Sequence, residues 1–97
     1  MPEHEETSCS AFIWYHADVE LFDTLDLWVR KTATQKGIHS RLLIREEGGK
    51  TTFMEIYEPL RPEAARLIIE EIEQLAKLEA WHPRLLSPRK AEIFSSS

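Results

Sequence analysis

Cysteine, glycine and long apolar runs are all scarce in this chain, and each shortage narrows what it can be. A single cysteine among 97 residues, Cys9, excludes a disulfide within one chain and suits a reducing compartment. No apolar stretch approaches the ~20 residues that cross a bilayer as a helix. Basic clusters are missing too. With a net charge of −5, nucleic acid and anionic membrane are not expected partners. The opening MPEHEETSCS has neither the basic start nor the apolar stretch of a secretory signal, so the expected location is the cytoplasm.

Chemical motifs are equally sparse. His4, His16, His39 and His82 form no H-x-x-H, H-E-x-x-H or Cys/His cluster, so no metal and no cofactor is expected. A metal site would require His16 and Glu55 to converge across strands, with His39 beside them. Cys9, Ser8, Ser10 and Ser40 have no base at a useful spacing, which disfavours hydrolase chemistry. The segment HADVE offers no phosphate-cradling loop of the acylphosphatase kind.

What is present is a soluble composition, 42% apolar and 30% charged, of a size that buries one modest core. One domain is expected over residues 11–94, with an acidic tail at 1–10 and a serine tail at 95–97 fraying from it. AFIWYH (11–16) reads as a strand, rich in β-branched and aromatic residues. Asp18 can cap a helix that buries Leu21, Phe22, Leu25, Trp28, Val29 and Thr32 and stops at Gly37. IHSRLLIREE (38–47) and TTFMEIYE (51–58) read as strands joined at Gly48-Gly49, and Pro59 and Pro62 close the second of them. A helix over 63–80 presents Ala65, Ile68, Ile72, Leu75 and Ala76 on one stripe, opposed by Glu70, Glu71, Glu73 and Lys77. Trp81 anchors the turn after it, and KAEIF (90–94) is the last strand.

The order β-α-β-β-α-β with right-handed crossovers predicts a ferredoxin-like α+β fold, a four-stranded antiparallel sheet with both helices on one face. The other face needs a cover. A three-residue loop, Glu47-Gly48-Gly49, is the expected hairpin connection. It turns Leu42, Ile44, Met54 and Ile56 toward the helices, and leaves Arg41, Leu43, Arg45, Phe53, Glu55 and Tyr57 on the open face. A two-residue loop would instead set Leu43 opposite Met54 and place Arg41 and Arg45 beside Met54 and Ile56. Phe12, Trp14 and His16 from the first strand, and Lys90, Glu92 and Phe94 from the last, join the open face. So large an apolar patch predicts a homodimer, two sheets facing one another as a dimeric α+β barrel. On this reading a second subunit covers Glu55, which pairs with Arg41 or Arg45.

F-I-W-Y-H, R-L-L-I-R, T-F-M-E-I-Y and S-P-R-K-A-E-I-F together resemble a family of short bacterial proteins catalogued as domain of unknown function 4936. Its third strand has a form close to T-W-M-E-x-Y, so Phe53 stands where a Trp is common. The likeness spans residues 11–94 and implies a ferredoxin-like fold without an activity. The positions it carries over are Tyr15, Arg41, Arg45, Met54, Glu55, Tyr57, Pro88 and Arg89. The architecture is also similar to antibiotic-biosynthesis-type monooxygenases, a likeness of fold alone.

The expected function is a homodimeric module, without catalysis, that binds a small apolar or anionic molecule or a protein partner. Trp14, His16, Arg41, Arg45, Phe53, Glu55 and Tyr57 are its expected ligand-binding set: apolar walls with a few convergent polar groups. The alternative is a cofactor-independent monooxygenase or isomerase on an aromatic or polyketide-like substrate, with His16 or Glu55 as general base. An RNA-recognition reading of Trp14, Phe53 and Tyr57 lacks the basic glycine-containing strand motif, and Glu55 would repel phosphate.

Overall fold

The computed structural model describes residues 7–96. Strand β1 (Ser8–His16) leads through a single 3-10 turn, Val19–Leu21, into helix α1 (Phe22–Lys36). Strands β2 (His39–Glu47) and β3 (Lys50–Leu60) form a hairpin, followed by helix α2 (Ala65–Lys77). A second 3-10 turn, His82–Arg84, precedes strand β4 (Lys90–Ser96). The sheet order is β2-β3-β1-β4 with every neighbouring pair antiparallel. Strands β1 and β3 thus hold the centre, the ferredoxin-like α+β arrangement expected from the order of elements.

Local chemistry explains the boundaries. The Asp18 carboxylate accepts from the Glu20 N–H at 2.8 Å and caps the 3-10 turn that opens into α1. Gly37, at φ 73°, ends α1 in the left-handed conformation and donates its N–H back to the carbonyls of Ala33 and Thr34. α2 is shorter than its pattern: Pro62 sits in the turn before it, and Ala65, Ile69, Ile72 and Ala76 are its buried residues. Strands β1, β3 and β4 run further than expected. Ser8 and Cys9 pair with Ser96 and Ser95, and β3 continues through Pro59 to Leu60. The rest of the expected tails, 1–6 and 97, lies outside the described residues.

One core joins both helices to one sheet face. Leu25, Trp28, Val29 and Ala33 of α1 and Ile69, Ile72 and Ala76 of α2 close over Ala11, Ile13, Tyr15, Phe53 and Tyr57.

The hairpin corrects the expected register. Glu47 pairs with Lys50, so the loop is the two residues Gly48 and Gly49, at φ 61° and 80°. Positive φ at both central positions is the type I′ pattern, whose twist matches that of the flanking strands, and glycine adopts it without a Cβ clash. Leu43 therefore faces Met54, Arg41 faces Ile56 and Arg45 faces Thr52. Compared with the three-residue loop, every side chain of β3 changes sides. Phe53, Glu55 and Tyr57 lie under the helices; Thr52, Met54 and Ile56 occupy the open face. The arginines next to Met54 and Ile56 are no obstacle there, because each can lay its stem on the sheet and keep its charge in water. Faces for β1, β2 and β4 are as expected, although Ile93, on the helix side, stays partly exposed at the edge.

Candidate functional site

The register change moves Glu55 from the open face into the most enclosed place in the domain. Its side chain has no solvent exposure. Four donors converge on it: Tyr57 Oη donates to Oε1 at 2.8 Å and Tyr15 Oη to Oε2 at 2.6 Å. Arg89 then adds a bidentate pair, Nη1 to Oε2 at 2.8 Å and Nη2 to Oε1 at 2.9 Å. A carboxylate has about four lone-pair sites, and all are used. The remaining Arg89 donor, Nε, reaches both oxygens of Glu73 on α2 at 3.0 Å. Glu73, expected on the outer stripe of α2, is instead turned toward the sheet.

Aromatic rings enclose the guanidinium. Its carbon lies 5.0 Å from the centre of Tyr15, 5.6 Å from Trp28 and 5.9 Å from Trp81. Trp28 and Trp81 meet edge to face at 5.1 Å, and Phe53 stacks on Tyr15 at 5.7 Å. Such contacts favour the cation where water is excluded. Burial, the largest single influence, acts to lower the Arg89 pKa, and Glu55 with its hydrogen bonds, Glu73 and Tyr15 together outweigh it and raise the pKa. Burial, reinforced by the Glu55 charge, pushes both tyrosines well above the ordinary phenol range. The group is thus an ion pair with two neutral phenols, and the Glu55 carboxylate itself is closed to solvent. Its chemistry is cohesion. The expected partners Arg41 and Arg45 are corrected to Arg89, and the expected cover, a second subunit, is corrected to the chain's own helices and the 78–89 segment.

The open face is a different surface. Cross-strand pairing arranges it in rows: Arg41, Ile56, Phe12 and Glu92; Leu43, Met54, Trp14 and Lys90; Arg45, Thr52 and His16. Glu58 and Phe94 flank Ser10 at one end, where the Ser10 hydroxyl donates to Glu58 at 2.6 Å. Phe12, Trp14, Leu43, Met54 and Phe94 line a shallow concavity of about 900 Å³, with Arg45 and Glu92 at its rim. Phe12 and Phe94 meet edge to face at 5.4 Å. His16 Nδ1 is 3.2 Å from the Thr52 hydroxyl, and the His16 backbone holds the 86–87 segment: its N–H donates to Ser87 Oγ and its carbonyl accepts from Leu86.

The expected binding set is therefore divided by the sheet. Trp14, His16, Arg41 and Arg45 share the open face; Phe53, Glu55 and Tyr57 are on the other. His16, His39 and Glu55 do not converge, and no group of three possible metal ligands occurs among the described residues. Arg89 was missed as the partner of Glu55 because nothing in its spacing ties a residue of the last turn to the third strand. Tyr15, Glu55, Tyr57 and Arg89 all lie in the stretches quoted above for the resemblance, but nothing in those stretches pairs Arg89 with Glu55.

No family model and no curated protein matches the chain. Among solved structures it is similar to the de novo designed protein Foldit4, with TM-score 0.59 and 12% identity over 96% of this chain and 98% of that one. A second designed protein, Ferredog-Diesel, aligns at TM-score 0.46 and 18% identity over 95% of this chain and 90% of the other. At such identities the Foldit4 match is a likeness of fold alone.

Proposed function

We propose that the chain is a non-catalytic module that pairs with a second copy through its open sheet face and holds a small, mainly apolar molecule between the two sheets. The observation that supports this is the uncovered row structure around Trp14 and Met54. Leu43 and Phe94 are 45% and 56% exposed, in one concavity with Phe12 and Trp14. Monomers rarely leave contiguous apolar patches beyond a few hundred Å². The face measures about 20 Å by about 25 Å from strand spacing and rise. Two such footprints, enlarged by side-chain relief, reach the lower end of stable interfaces, ~1,200 Å². An anionic group on the molecule would meet Arg41 or Arg45 at the β2 edge.

Nothing in the geometry favours the oxygenase or isomerase reading. Glu55 has no free lone pair for a substrate proton, and it lies across the sheet from His16. Native mass spectrometry of freshly purified protein tests the proposal. The expected spectrum is a dimer carrying a reproducible extra mass. A bare dimer keeps the pairing and removes the ligand; a monomer at every concentration removes both.

A further inference from the structure

The edges of the open face carry opposite charges, and they sit in one row. Arg41 on β2 and Glu92 on β4 are joined across the sheet through Ile56 and Phe12. Both are exposed, and neither forms an ion pair among the described residues. Three strand spacings, about 14 Å, separate them.

Two sheets facing each other by two-fold symmetry have two simple choices of axis. An axis along the strands lays β2 of one copy over β4 of the other. Arg41 then meets the partner's Glu92 and Glu92 meets the partner's Arg41, so one row supplies two identical ion pairs. The same rotation sets Ile56 over the partner's Phe12 and Met54 over the partner's Trp14, an apolar pair and a sulfur–aromatic pair. An axis across the strands lays β2 over β2. Arg41 and Arg45 are then brought near their own copies, and the one carboxylate on that face of β2, Glu47, is already 3.5 Å from Arg45 of its own chain, which leaves Arg41 without a partner on that strand.

Resting on the pairing proposed above, we infer that the two copies dock with β2 over β4, locked by reciprocal Arg41–Glu92 contacts at both margins. The orientation leaves the ends of the sheets, at His16 and at Ser10, as the ways in for a ligand.

Charge reversal tests the orientation, read by sedimentation equilibrium. Arg41→Glu and Glu92→Arg each place like charges opposite one another twice, and each homodimer is expected to weaken about tenfold or more. Mixed together, the two variants restore both pairs, so the heterodimer returns to wild-type affinity. The double variant, Arg41→Glu with Glu92→Arg, does the same by itself. Arg41→Glu protein that dimerises as tightly as wild type, or more tightly, overturns the β2-over-β4 orientation and leaves the pairing intact. So does failure of the mixture to form a heterodimer. Wild-type protein that stays monomeric overturns the pairing itself.

Discussion

At the scale of single residues, the fold turns on one buried carboxylate. Removing either member of an enclosed ion pair strands the other, at a cost of about 3–5 kcal/mol, whereas replacing both by apolar groups of similar volume is often neutral. Glu55→Leu and Arg89→Met are each expected to destabilise by that amount in urea unfolding. The double variant should be less destabilised than the sum, because neither charge is left alone, although the two phenols and Glu73 then lose a partner. Additive losses would count against a coupled pair. The phenols supply an independent check. Tyr15 and Tyr57 are the chain's two tyrosines, and both have raised pKa values in the fold. In the unfolded chain they ionise near pH ~10, so their contribution is complete below that pH. Above it the unfolded state binds fewer protons, and stability falls by up to about 1.4 kcal/mol per pH unit for each tyrosine. Phenolate absorbance should therefore appear only together with unfolding, in one cooperative alkaline step. A tyrosine that titrates in protein still folded by circular dichroism contradicts its burial.

At the scale of elements, the hairpin turn decides which face each strand presents. A Cβ added at Gly48 or Gly49 meets nothing within 4 Å, so substitution there tests backbone conformation alone. Gly49→Ala, forced to φ 80°, should cost about 1 kcal/mol by chemical denaturation. Gly48→Asn should cost less, since Asn-Gly suits a type I′ turn. Equal losses would argue against the two-residue turn. Element order, the Asp18 and Gly37 signals and the faces of β1, β2 and β4 were legible in the sequence because each rests on local chemistry or strict alternation. β3 was not. Both of its faces are apolar enough for a core, Phe53 with Tyr57 against Met54 with Ile56, so the pattern left the choice to the turn. The three-residue loop is the choice that gathers the aliphatic Leu42, Ile44, Met54 and Ile56 on one helix-facing side, and it fails because Phe53 and Tyr57 make an equally good core. A buried glutamate is legible only once its counter-ion is known, and Arg89 lies 34 residues away in sequence.

At the scale of the whole molecule, two faces of one sheet have separate duties. The helix side binds the chain to itself, and the open side is free to bind something else. If that something is a second copy, folding and pairing are linked, and the melting temperature should rise with protein concentration. Met54→Asp, which puts a charge at the centre of the open face, should abolish that rise while leaving the dilute-protein melting temperature nearly unchanged. Persistence of the rise in this variant would place the contact elsewhere.

The placement of Arg89 also has a bearing on how the chain is made. Glu55 belongs to the middle of the polypeptide, and its counter-ion immediately precedes β4, the last strand. While synthesis has not yet reached Arg89, the helix-side layer can close over Glu55 only by burying that carboxyl without its cation. Closing that layer earlier costs either an unpaired buried carboxylate or its protonation, so a chain truncated before Arg89 is expected to resist protease far less than the full chain.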